Sequence, residues 1–270
     1  MVAYARVALR AFLLRAPLVG LLAVGFIGLF MSTSLVAQAG RDIALKWDAV
    51  DNSQSSSFKA TMTIKRGGQS LVRTMDIKRQ KDPNSEKQLI VFLEPPDTRG
   101  TSYLTWAYRD HQKDDDMWVF LPAESLTRRI AGGARKGPFA RGDYALEDIF
   151  RREVDEDNWE LLGEVNLAGA DCHALKATPL DSKATGYSKR LLWIRKDINL
   201  PTKVEYYGPK DKLLKTLVLG DFKNIQGIWL PLRQRMAAQG TDSVTTLDLT
   251  EVVFNQTFPA DLFLSQNLKR

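Results

Sequence analysis

Few side chains in this sequence are suited to catalysis, and they are poorly spaced for it. The 270-residue chain has one cysteine, Cys172, and two histidines, His111 and His173. Cys172 and His173 are neighbours on an alternating stretch. Neighbours on a strand point to opposite faces, so they form no nucleophile–base dyad. A zinc site there would need further ligands at a recognisable spacing, and the sequence supplies none. His111 sits in the run Asp110-His-Gln-Lys-Asp-Asp-Asp116. That run lacks the alternating Asp/Asn, the Gly and the closing Glu of a calcium loop, and it reads as a solvated turn. No Gly-x-Ser-x-Gly, His-Glu-x-x-His or phosphate-loop pattern occurs. Glu147 and Asp148 have the chemistry of an acid–base pair, but nothing beside them separates them from helix-surface residues. The expectation is a protein with no catalytic residue, no metal and no cofactor.

Apolar binding remains. Trp106, Trp118, Phe120, Trp193, Tyr206, Leu230 and Met236 all fall on strand-like stretches. On a common inner face they would form the walls of a hydrophobic ligand site; the alternative is an ordinary core. Residues 117–148 join an aromatic strand candidate (117–121, stopped by Pro122) to a basic loop containing Gly132, Gly133, Gly137 and Gly142. A short helix is expected over 143–151. Arg128, Arg129, Arg135, Lys136 and Arg141, with Phe139, lie in or beside the basic loop. A solvated rim is one reading for the cations.

The elements that must position these residues are strands. Residues 58–65 alternate cleanly, Gly67-Gly68 turns the chain, and 71–79 returns, which predicts a hairpin. Similar stretches follow at 88–93, 103–108, 117–121, 159–167, 172–178, 187–195, 201–207, 213–222, 228–237 and 243–253. Short helical segments are expected at 41–52, 143–151 and 258–264. No βαβ spacing occurs, so a long antiparallel meander of about ten strands is expected to curl or close and so hide its edges.

The N-terminus bears on compartment. Arg6, Arg10 and Arg15 precede an uncharged run from 16 to 39 that ends in Ala37-Gln38-Ala39. This predicts a signal peptide, 1–39, cleaved after Ala39. An uncleaved membrane anchor is the alternative, since the run is long enough to span a bilayer. Either way residues 40–270 lie outside the cytoplasm, in the periplasm for a bacterial chain, because the arginines stay inside. The lone cysteine allows no intramolecular disulfide. The leader holds three of 38 basic residues and none of 32 acidic ones, so the remainder carries a formal +3 rather than +6. Nucleic acid is not an expected partner at that charge.

Four blocks, in order, carry a family resemblance. They are Trp118-Val-Phe-Leu-Pro122 with Arg128-Arg-Ile130, and Phe139…Gly142-Asp-Tyr144…Glu147-Asp148. Leu200-Pro-Thr-Lys-Val-Glu-Tyr-Tyr207 and Gly227-Ile-Trp-Leu-Pro231…Met236 complete the pattern. Residues 40–270 thereby resemble the outer-membrane lipoprotein-sorting (LolA-like) family, in its branch found with RND-type exporters. The resemblance implies a curved antiparallel sheet forming an incomplete β barrel with a few covering helices. It implies a periplasmic carrier that holds a lipid or lipoprotein acyl chain and works with an inner-membrane RND-type transporter toward the outer membrane. It also implies a movable lid at 131–142, with Arg128, Arg129, Arg135, Lys136, Phe139 and Arg141 as lid, headgroup or partner contacts. A non-carrier envelope adaptor or scaffold, its sheet filled by its own side chains, is the competing reading.

Overall fold

The computed structural model describes residues 36–269 except His111. The expected leader, apart from residues 36–39, and the histidine of the acidic run lie outside the described residues. A helix, α1 (36–48), leads into the strands. The first six are β1 (Ser55–Arg66), β2 (Gln69–Asp82), β3 (Ser85–Glu94), β4 (Ser102–Tyr108), β5 (Asp116–Leu121) and β6 (Leu126–Arg129). The rest are β7 (Asp157–Leu167), β8 (Ala170–Pro179), β9 (Lys189–Arg195), β10 (Pro201–Tyr207), β11 (Leu213–Ile225), β12 (Ile228–Ala238) and β13 (Val244–Phe254).

All 13 strands form one antiparallel sheet in the order β6-β5-β4-β3-β2-β1-β13-β12-β11-β10-β9-β8-β7. Two meanders are thus sewn together where the first strand pairs with the last. The β1–β2 hairpin turns at Gly67 (φ 55°) and Gly68 (φ 78°), the left-handed pair that a two-residue hairpin loop needs. Side chains of one sheet face build the main core, with Phe58, Ala60, Met62 and Ile64 of β1 beside Met75 and Ile77 of β2.

The expected incomplete barrel is corrected. β6 and β7 stand at opposite ends of the strand order and no ladder joins them, so the sheet stays open. The covering helices are corrected as well: α1 is the one α-helix among the described residues. Residues 143–151 form no α-helix, only a 3₁₀ turn at Leu146–Asp148, and the C-terminal segment has only a 3₁₀ turn at Ser265–Asn267. Closure is unnecessary because each edge is blunted in another way. β6 has four residues, two of them Arg128 and Arg129. β7 bends at a register shift between Leu161 and Gly163 and carries Glu160 and Glu164. Short strands, charges and bulges all discourage edge pairing.

Residues 130–156 connect one edge to the other and cross the core face as an irregular strap. Next to it lies α1, with Ile43 and Ala44 buried and Trp47 edge-on to Trp159 at 6.4 Å. Gly40 lets the helix touch the sheet edge, since a Cβ there would lie 2.9 Å from backbone atoms of Glu160 and Leu161. Backbone cannot yield as a flexible side chain does. Gly40→Ala is expected to cost about 1–3 kcal/mol in urea unfolding; an unchanged midpoint would mean that α1 is not seated on β7.

Candidate functional site

Between the strap, α1 and the sheet lies a cavity of about 450 Å³. Its floor is apolar: Met117 of β5, Leu192 of β9, Val204 and Tyr206 of β10, and Leu217 and Leu219 of β11. The strap supplies Ile149, Phe150 and Val154 together with a charged wall that includes Glu147, Asp148, Arg151 and Arg152.

The strap is bonded to the sheet along its length. Asp148, whose side chain is 1 % exposed, accepts from Lys215 of β11 and from Tyr187 Oη at 2.7 Å. It also accepts from its own turn, at Ala145 N, 2.6 Å away. Glu147 accepts from Thr185 Oγ1 at 2.6 Å and Gly186 N at 3.0 Å. Arg152 donates Nε to Asp157 at 2.9 Å, and Arg190 of β9 reaches the same carboxylate. Arg151 pairs with Asp48 of α1 at 2.5 Å and Glu86 of β3 at 2.8 Å. Asp143 and Thr245 of β13 bond twice, through Asp143 N at 2.9 Å and the carboxylate at 2.6 Å. Arg73, buried on β2, donates to Ala140 O at 2.8 Å. Ala140 (φ 51°) and Arg141 (φ 64°) are left-handed there, which turns that carbonyl onto the guanidinium.

Burial shapes the ionisation of these groups. Desolvation, with Asp148 nearby, holds the Tyr187 and Tyr206 phenols well above their usual range. Burial lowers Arg73 and raises Asp115. At the rim, Tyr108 donates to Asp116 at 2.8 Å and is pushed up to about 12 by desolvation and that carboxylate. The unfolded chain releases this proton near pH ~10. Between there and 12 the folded state binds the extra proton, so stability falls as pH rises through that window. Tyr108→Phe is expected to make the alkaline decline of the urea midpoint shallower; an identical slope would refute the shift.

Among the described residues no group of three or more His, Cys, Asp or Glu could hold a metal ion. Cys172 is buried, and His173 faces Glu164 at 3.5 Å.

A family model described only as "Uncharacterized protein" matches residues 84–270. A DUF1329 family protein from Desulfovibrio piger is 40 % identical, with 86 % of this chain and 99 % of that one covered at a TM-score of 0.84. This chain belongs to the DUF1329 family. This DUF1329 protein is also similar to a putative outer membrane lipoprotein-sorting protein domain from Vibrio parahaemolyticus, at 29 % identity. That match covers 87 % of this chain and 100 % of the other, with a TM-score of 0.82. A LolA superfamily protein from Nitrosomonas europaea shares the fold at 24 % identity and TM-score 0.68, over 83 % and 96 % of the two chains. No curated protein sequence matches.

The DUF1329 fold separates the residues that the sequence singled out for ligand binding. Tyr206 lines the cavity. Met236 is fully buried in the same core without reaching the cavity wall. Trp106, Trp118 and Phe120 lie on the other sheet face, where Phe258, Leu262, Phe263 and Leu268 of the C-terminal segment cover them. Trp193 alternates with the buried Leu192 and Ile194, and Lys203 sits over its ring at 4.5 Å. Leu230 is half-buried on β12.

Of the basic loop, Phe139 is buried against Phe92 and Tyr103, with centroids at 5.8 and 5.4 Å. Arg128 pairs with Glu124, and Arg129 with Asp116. Arg135 reaches Asp115, while Lys136 donates to Lys183 O at 3.0 Å. Arg141 is exposed. Sequence reasoning passed over Leu192, Val204, Leu217 and Leu219, each an ordinary apolar residue on an alternating strand. It also passed over Lys215, whose partner lies 67 positions away.

Proposed function

We propose that this protein is a periplasmic carrier that shelters the acyl chain of a lipid or lipoprotein beneath the strap. The observation that carries the reading is the cavity itself, with an apolar sheet floor and a cover held by side-chain bonds rather than by a ladder. Burial of an acyl chain supplies about 0.8 kcal/mol per methylene, and release requires the cover to move. The lipoprotein-sorting name of the relative from Vibrio parahaemolyticus points to the same class of cargo. In this reading the protein works with an inner-membrane RND-type transporter to move its cargo toward the outer membrane. Tyr206 contacts the cargo, and residues 131–142 with Arg128, Arg129, Arg135, Lys136 and Arg141 form the movable and partner-facing side.

Native mass spectrometry of the protein purified from membranes, followed by lipid extraction, tests this reading. A bound lipid released on denaturation is the expected result. A protein that arrives empty and takes up no lipid from vesicles would instead be an adaptor or scaffold.

A further inference from the structure

The cavity has an unusual polar inventory. Its inner charged side chains are already engaged: Asp157 by two arginines, Glu147 by Thr185 and Gly186, and Arg79 by Gln88 at 2.6 Å. The charges at Lys113 and Asp114 stand at the solvent rim. Besides Arg135 Nε and Arg151 Nε, which lack a hydrogen bond but belong to guanidiniums already paired with carboxylates, the Tyr206 hydroxyl is free. Tyr206 lines the cavity, is 9 % exposed, and its hydroxyl has no hydrogen-bond partner among the described residues. Its neighbours fix the ring: Tyr187 lies 4.9 Å away and Lys215 stands over it at 5.4 Å.

A phosphate, carboxylate or ammonium head brought here would lose its hydration and find the inner charges of opposite sign already paired with one another. Burying a charge without a partner costs several kcal/mol. A hydroxyl or carbonyl needs only one hydrogen bond, and the Tyr206 hydroxyl can donate or accept it. Its raised pKa keeps the proton in place at neutral pH. Size points the same way: 450 Å³ lies near the small end of the roughly 300–1,000 Å³ of ligand pockets, room for one chain rather than several.

We infer that the occupant of this cavity is a single-chain, uncharged amphiphile whose hydroxyl or carbonyl head bonds to the Tyr206 hydroxyl. The inference rests on the carrier reading and narrows its cargo.

The test uses the full chain and four ligands of equal tail: hexadecanol, hexadecanoate, hexadecyl phosphate and hexadecylamine. Each displaces a fluorescent apolar probe. Hexadecanol is expected to bind at least about ten-fold more tightly than the three charged ligands. Tyr206→Phe, which keeps the ring, is expected to weaken hexadecanol about five-fold and leave the charged ligands unchanged. Equal or tighter binding of any charged ligand overturns the inference while the carrier reading stands. So does a Tyr206→Phe protein that binds hexadecanol as tightly as the parent. Failure of all four ligands and of the probe would bring down the carrier reading itself.

Discussion

Asp148→Ala is expected to lower unfolding stability by about 3–5 kcal/mol, a range set by removing one member of a buried ion pair. The carboxylate is 1 % exposed and its partner Lys215 is 9 % exposed, so the substitution strands an ammonium in the core. It also frees the Tyr187 hydroxyl and the Ala145 amide. All three partners belong to the junction of strap and sheet, so local opening should accompany the global loss. Hydrogen exchange at Phe139, Gly142 and Leu146, whose amides bond within the strap at 2.7–2.9 Å, should speed up markedly. Asp148→Asn, which keeps an acceptor, should retain part of the stability. Asp155→Ala is the control. That carboxylate is 57 % exposed in its pair with Arg41, and its loss should cost less than about 1 kcal/mol. Equal effects at the two positions would mean that the strap is not held by its buried charges.

Trp106→Ala is expected to cost about 3 kcal/mol, the lower end for a large aromatic truncation because the ring is half-buried. The ring meets Trp118 edge-on at 5.6 Å, carries Lys87 at 4.5 Å and donates Nε1 to Phe263 O at 2.9 Å. These bonds clamp the C-terminal segment to β4. Ligand affinity should hold steady under conditions where the variant remains folded, because the cavity opens on the opposite face. A selective loss of ligand binding with unchanged stability would instead return Trp106 to the cargo site.

The sequence made individual strands legible, because local alternation is enough to mark a half-buried strand. Phe58-x-Ala60-x-Met62-x-Ile64 and the Gly67-Gly68 turn are examples, and both appear in the β1–β2 hairpin. The same alternation could not say which face of β4 or β5 meets the cavity. Met117 and Trp118 are neighbours, yet one packs in the main core and the other under the C-terminal segment. Both faces of that part of the sheet are covered, so apolar residues on both sides read alike. β6 escaped notice because Leu-Thr-Arg-Arg is too short and too polar to announce a strand; its pairing with β5 defines it.

The strap shows the other limit. Asp143 to Arg151 has the composition of a helix start, with acids early and Arg151 late. Its acids are instead spent on distant partners: Asp143 on Thr245, Glu147 on Thr185, and Asp148 on Lys215. Tertiary bonds of that kind override a weak local preference. The family resemblance did not reveal them either, since it named the block without its contacts. It also suggested a barrel, whereas the short charged β6 and the bulged β7 leave an open sheet with protected edges.

In the proposed carrier an amphiphile lies between strap and sheet. Photo-crosslinking tests it most directly, using long-chain alcohol and carboxylate probes with a diazirine in the tail and peptide mapping of the adducts. Labels are expected on the floor and on the strap, at Leu192, Val204, Leu217, Leu219 or Phe150. Labels confined to the opposite face, around Trp106 and Trp118, or a protein left unlabelled by both probes, would contradict it.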